Sequence, residues 1–267
     1  MTSPVLVTGG TGRLGQAVVA RLVEAGQDVR VLARRRRDTR PQVTFFTGDL
    51  RSGDGIDAAV AGAAVIINCA TATKGDADVA RNLTAAAARV GAPHFVQPSI
   101  VGIDAMAQWG YVKTKLQVEK IVQASGLPWT IFRVTQFYNY CYEGAAKLAH
   151  LPLITPVPAG FRIKPVDSRD VAAQLVDLAL GQPAGRAPDM SGPQESSWTE
   201  LFRSYLDATG RRKLVVPVPF PGAKAARNGV LLPPPDHIEG TRTWDQFLDE
   251  ELPLRRKPDP SPRITSG

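Results

Sequence analysis

Short apolar runs alternate with segments of helical period through the first half of this chain. Val5 to Val7 is an apolar run that leads into a glycine-rich turn. The helix that follows sets Leu14, Val18, Leu22 and Ala25 on one face, and Gly26 ends it. Val29 to Ala33 predicts a second strand and Val43 to Phe46 a third. Ile56 to Ala61 predicts a short helix and Ala64 to Cys69 a fourth strand. From Val79 to Val90 the spacing of Val79, Leu83, Ala86 and Val90 is helical, closed by Gly91 and Pro93. Phe95 to Gln97 reads as strand five, Tyr111 to Ser125 as a helix closed by Gly126, and Trp129 to Val134 as strand six. Continuous apolar strands separated by amphipathic helices imply an α/β fold, a parallel sheet covered on both faces.

After Val134 the regularity breaks. An aromatic stretch from Phe137 to Tyr142 leads into the proline-rich segment Pro152 to Pro158, and the spacing predicts no element between Thr135 and Phe161. A helix is expected from about Ser168 to Leu180. Ser197 with Glu200, and Thr243 with Gln246, have the spacing of capping boxes that open two further helices. Residues 135–252 are expected to form most of a smaller lobe built onto a core of residues 1–134, within one domain spanning 1–252. Pro253 to Gly267 is rich in proline and charge, without period, and reads as a mobile tail.

Composition narrows the class. Hydrophobic residues make up 43% of the 267 and charged residues 21%, the balance of a globular protein rather than a disordered one. No apolar run approaches the ~20 residues that span a membrane, and no basic leader precedes the first strand, so no membrane partner is expected. Cys69 and Cys141 are too few for a disulfide framework and suit a reducing, cytoplasmic setting. His94, His150 and His237 lack ligand spacing, so no metal site is expected. The net charge of +7 raises the question of nucleic acid, but neither Arg34–Arg37 nor the cluster at Arg255 is interleaved with aromatics, and no nucleic-acid partner is expected.

The glycine-rich turn reads Thr8-Gly9-Gly10-Thr11-Gly12-Arg13-Leu14-Gly15. Gly9 and Gly12 allow a tight turn and close approach to a pyrophosphate, and Gly15 allows close packing of the helix. The N–H groups of the helix's first turn then face the anion. A site for NAD usually carries an acidic residue at the end of strand two to accept from the ribose 2′-hydroxyl. This chain has Arg34 there, which suits a 2′-phosphate, and Arg13 is placed to reach the same phosphate. The expected cofactor is therefore NADP(H). Asp49, after strand three, is a candidate for the adenine amino group or a simple turn residue. Ala70, after strand four, leaves room for ribose and nicotinamide.

A third constellation consists of Ser99 after strand five, Tyr111, and Lys115 one helical turn beyond it. A free phenol has a pKa of about 10. A neighbouring ammonium together with a nicotinamide cation is expected to depress it into a range useful for proton transfer, while Ser99 polarises a substrate oxygen. Met106, Trp109, Phe137, Tyr138, Tyr142 and Phe161 are the candidate lining of an aromatic pocket for a small-molecule substrate.

Together TGGTGRLG, HFVQPSIVG around Ser99, and YVKTKLQVEKIVQASGLPWTIFRVTQFY from Tyr111 resemble the short-chain dehydrogenase/reductase superfamily. Within it they are most similar to the atypical NmrA-like, NAD(P)H-binding branch; KPVDSRDVA from Lys164 and TWDQFL near the end support this over roughly residues 4–250. The resemblance implies a Rossmann-type doubly wound sheet with a smaller C-terminal α/β substrate lobe. It matches Ser99, Tyr111 and Lys115 to the catalytic serine, tyrosine and lysine, with Lys115 also holding the nicotinamide ribose. An NADPH-dependent reductase of a small carbonyl or quinone-like acceptor is the leading expectation. Two alternatives stay open: an NADP(H)-sensing regulator without turnover, since such relatives occur in this branch, and a sugar-nucleotide epimerase or dehydratase.

Overall fold

The computed structural model describes residues 3–71, 75–106, 110–219 and 223–256. In chain order the strands are β1 (Val5–Thr8), β2 (Val29–Ala33), β3 (Val43–Thr47), β4 (Val65–Asn68), β5 (His94–Ile100) and β6 (Trp129–Val134). Shorter ones follow: β7 (Ile154–Pro158), β8 (Arg162–Ile163), β9 (Gly185–Arg186), β10 (Met190–Ser191), β11 (Ser196–Ser197), β12 (Leu214–Val218) and β13 (Ile238–Glu239). The helices are α1 (Arg13–Glu24), α2 (Ile56–Val60), α3 (Asp76–Arg89), α4 (Gly110–Gln123) and α5 (Tyr138–Leu148). They continue with α6 (Ser168–Leu180), α7 (Trp198–Ala208), α8 (Ala223–Arg227) and α9 (Trp244–Arg256).

The main sheet runs β3-β2-β1-β4-β5-β6 and is extended by β10 and β13, with β9 beside the first half of β6. Its pairings are all parallel. Strand order therefore reverses between β1 and β4, the switch point at which open α/β sheets bind ligands. Alternation along β1 explains the layering. Val5 and Val7 face one side, against Val18, Val19 and Leu22 of α1 and Val171, Leu175 and Val176 of α6. Leu6 faces the other, with Ile66, Phe95 and Ile131, under α2, α3 and α4. At the carboxyl edge this second face turns polar: Thr8 Oγ1 donates to Asn68 Oδ1 at 2.6 Å, and Asn68 Nδ2 donates to Gln97 Oε1 at 2.8 Å.

A separate apolar cluster forms the lobe, from α5, α7, α9 and the segments around Ile103 and Val157. Two small ribbons flank it, β8 with β11 antiparallel and β7 with β12 parallel. Both capping boxes close as expected. Ser197 N–H donates to Glu200 at 2.7 Å while Glu200 N–H donates to Ser197 Oγ, and Thr243 and Gln246 exchange the same pair of bonds.

Two expectations are corrected. The stretch after Val134 is not irregular: Tyr138–Leu148 is a helix, because Tyr138, Cys141, Tyr142 and Ala145 bury one face against the lobe core. The tail does not start at Pro253, since α9 runs through it to Arg256.

Candidate active site

The glycine-rich turn folds as its spacing requires. Gly9 has φ +65°, and a Cβ there would lie 2.6 Å from the backbone of Cys69 and Ala70, so the loop presses directly on the end of β4. Gly12 N–H donates to Gly9 O at 2.9 Å, and Gly12 is the N-cap of α1. A Cβ on Gly15 would lie 2.1 Å from Gly9 O. Gly15 thus permits α1 to sit on the glycine loop itself, rather than only on the sheet. The α1 N-terminus has no side-chain cap and no acidic residue in its first turn. Its unsatisfied N–H groups and partial positive charge are thereby left for an anion.

A cleft of about 970 Å³ opens from this helix end. One wall consists of Gly9, Thr11, Gly12, Arg13, Leu14 and Gly15. Leu32, Ala33 and Arg34 of the β2 end, with Gly48, Asp49 and Leu50 after β3, form one extremity; Cys69, Ala70 and Thr71 form the floor toward the other. These features fit a dinucleotide: a close backbone cradle, an uncapped helix end, a guanidinium at one extremity and small residues along the floor. Arg34 is exposed, and no ion pair engages it among the described residues. Asp49 uses Oδ1 to accept from Arg51 N–H at 2.8 Å, so it shapes its own turn while lining the cleft. Asn82 pins the same loop by donating to Leu50 O and Arg51 O, each at 3.0 Å.

Arg13 is engaged elsewhere than expected. Its guanidinium lies 2.9 Å from Glu143 of α5 and 3.6 Å from Glu251 of α9, tying the glycine loop to the lobe. Burial pushes the Cys69 thiol up to about 12, which leaves it inert in the cleft wall.

The Ser99, Tyr111 and Lys115 side chains are not in the cleft wall itself; Lys115 adjoins its Thr71 end, with Tyr111 beside it. Lys115 is buried, and its Nζ lies 3.4 Å from Thr71 Oγ1 and 2.7 Å from Asp76 Oδ2. The same ammonium is 5.7 Å from the centroid of the Tyr111 ring. Tyr111 is half-exposed in the first turn of α4. Burial first, then the neighbouring Tyr140 and Asp76, push its phenol up to about 12. The ammonium by itself thus does not produce the expected depression. Asp76 neutralises the ammonium that was to supply it, and the phenol is held in its protonated form. Ser99 is buried near the end of β5, and its hydroxyl makes no hydrogen bond among the described residues.

The aromatic lining divides. Phe137 is in the cleft wall. Tyr138, Tyr142 and Met106 are not: all three are buried in the lobe core. Tyr138 donates its hydroxyl to Arg242 O at 3.0 Å, and Tyr142 meets Tyr205 edge-on with centroids 5.3 Å apart. All three are core residues rather than substrate contacts, a correction that for Tyr138 and Tyr142 follows from the helical phase of α5. Phe161 packs at the edge of the same core, and Trp109 lies outside the described residues. The opposite face of α5 supplies what the sequence reading missed, namely Asn139, Tyr140 and Glu143 in the cleft wall. A stripe at Phe137, Tyr140 and Glu143 was the available signal. Asp76 had no such signal.

Comparison with known proteins agrees with this geometry. The model of the NAD(P)H-binding family matches residues 9–180. The chain is 31% identical to (4-alkanoyl-5-oxo-2,5-dihydrofuran-3-yl)methyl phosphate reductase of Streptomyces griseus, over 86% of this chain and 82% of that one. It is 29% identical to the NAD(P)H azoreductase of Xenophilus azovorans, over 88% and 89%. Among solved structures, the Escherichia coli NADPH-dependent quinone oxidoreductase complexed with NADPH superposes with TM-score 0.76 at 18% identity, over 93% of this chain and 99% of that one. A nucleoside-diphosphate-sugar epimerase from Staphylococcus aureus superposes equally well, with TM-score 0.75 at 17% identity over 92% and 99%. The fold alone therefore does not choose an activity. This chain belongs to the NAD(P)H-binding family. Among the described residues, no helix is long and apolar enough to cross a membrane.

Proposed function

We propose that this NAD(P)H-dependent reductase prefers NADPH and reduces a small organic carbonyl or quinone-like acceptor, with Tyr111 as proton donor. When bound, the cofactor supplies a hydride from its nicotinamide ring. The α1 N-terminus and the glycine loop hold the pyrophosphate, Arg34 engages the 2′-phosphate, and Asp49 borders the adenine. Ala70 and Thr71 border the nicotinamide half, where Lys115 reaches the ribose and Phe137 and Tyr140 wall the acceptor space. Ser99 and Tyr111 orient the acceptor oxygen, and the neutral phenol of Tyr111 gives its proton to that oxygen as the carbonyl becomes an alcohol. Solvent returns the proton to the half-exposed Tyr111.

The observation that carries this reading is the pairing of Lys115 with Thr71 at one end of the cleft, opposite Arg34 at the other. Reductases among its relatives support the same reaction class. Tyr111→Phe tests it: NADPH affinity should be unchanged, while turnover on an accepted substrate should fall ~10²–10⁴-fold, the usual worth of a positioned acid. Full activity in that variant would remove Tyr111 from the mechanism.

A further inference from the structure

Asp76 opens α3, is almost fully buried, and faces the second turn of α4 across the α3–α4 seam. Ala80 and Leu83 of α3 and Val118 and Val122 of α4 belong to one buried apolar cluster. Burying an ion pair in such a place costs desolvation that apolar packing would avoid, so the two helices do not need it to adhere. Its position at the Thr71 end of the cleft is what the pair has that an apolar contact would lack. The Asp76 carboxylate touches Lys115 at 2.7 Å, and the Lys115 ammonium in turn touches Thr71 of the cleft wall.

We propose that Asp76 is a positioning residue for proton transfer: its carboxylate anchors and neutralises the Lys115 ammonium, so that Tyr111 remains a neutral hydrogen-bond donor. This rests on the reading of Tyr111 as the proton donor. Among the described residues, the groups facing Tyr111 are Lys115 on its own helix, Asp76 from α3 and Tyr140 from α5. Of these, Lys115 alone carries positive charge, and without Asp76 its ammonium would favour the phenolate. The upward displacement of the Tyr111 phenol, to which Asp76 contributes, agrees with this arrangement.

The test is a phenolate absorbance titration of the ligand-free protein, with the matching Tyr111→Phe variant subtracted so that Tyr111 alone is read. In Asp76→Asn the ionisation constant of Tyr111 should rise on the order of tenfold or more, one pH unit toward acid. A purely structural pair predicts lower thermal stability with the ionisation of Tyr111 unmoved, and that result would overturn the proposal. If Asp76→Asn does not fold, Asp76→Asn/Lys115→Gln carries the test, because it buries no lone charge. Because that variant removes the ammonium together with its counter-charge, Tyr111 should ionise close to wild type there, while Lys115→Gln alone moves its ionisation about one pH unit toward alkali; a shift toward acid in the double variant, or no shift in Lys115→Gln, would overturn the proposal. The titration needs no substrate. Full activity of Tyr111→Phe would therefore sink the proton-donor reading, while the absorbance result still decides what Asp76 does to the phenol.

Discussion

Single atoms decide how the glycine loop behaves. An exposed glycine inside a helix normally gains ~1 kcal/mol of stability when replaced by alanine. At Gly15 the sign should reverse, because the new methyl would meet Gly9 O at 2.1 Å and only backbone could yield. Gly15→Ala should cost ~1–3 kcal/mol, the range for overpacking, and weaken cofactor binding as the loop lifts from β4. Thermal unfolding and an NADPH titration read both effects. At the other end of the cleft, Arg34→Ala should weaken NADPH by ~1.5–3 kcal/mol, as for a charge-assisted hydrogen-bonding group, and leave NADH nearly unaffected. Fluorescence titration of each cofactor checks it. Arg13→Ala should instead register mainly in stability, since its partners are Glu143 and Glu251. Tyr111 carries a pH prediction as well. An acid catalyst works in its protonated form, so a phenol held up at about 12 implies that kcat for reduction does not decline on its account between pH 6 and 9.

Among the elements, those with simple periods were legible. β2, β6 and α6 have the bounds that their apolar spacing indicates, and Ser197 and Glu200 marked the start of α7 to the residue. The aromatic helix α5 was not. Tyr, Phe and Cys in close succession favour strands by local preference, and only tertiary burial of Tyr138, Cys141, Tyr142 and Ala145 resolves the ambiguity in favour of helix. That one phase decides the pocket, since it turns Tyr138 and Tyr142 inward and leaves Phe137 and Tyr140 facing the cleft. The short strands of the lobe pair over long sequence separations, as β7 does with β12, which local patterns cannot reveal. Asp76 was illegible for the same reason: its partner Lys115 lies on another helix. Tyr138→Phe should therefore cost ~1 kcal/mol through the lost bond to Arg242 O, with turnover unchanged. Tyr140→Ala should alter KM for the acceptor and leave NADPH affinity in place. Denaturant unfolding and steady-state kinetics separate the two.

At the scale of the whole molecule, charge networks fasten the lobe to the nucleotide-binding core. Asp167 caps α6 and pairs with Arg169 at 2.6 Å and Arg242 at 3.4 Å, while Glu250 of α9 joins both arginines. Asp170 accepts from the backbone N–H groups of Thr241 and Arg242 at 2.8 and 2.9 Å. Burial alone would raise the pKa of Asp167, but the two arginines outweigh it and hold the carboxyl below the usual range. A depressed pKa stabilises the fold above the unfolded value of about 4, and that contribution is lost as pH falls through the folded value. Asp167→Asn should lower stability at neutral pH and flatten the loss on acidification, as followed by melting curves across pH.

On this reading the clasped cleft turns over NADPH rather than only binding it. Initial rates of NADPH and NADH oxidation against a panel of small carbonyls and quinones test it most directly. Acceptor-dependent oxidation should appear, with kcat/KM for NADPH about tenfold or more above that for NADH, the factor that 1.4 kcal/mol of extra 2′-phosphate binding confers. Tight NADPH binding with no oxidation by any acceptor would contradict the account and leave a cofactor-binding protein without turnover.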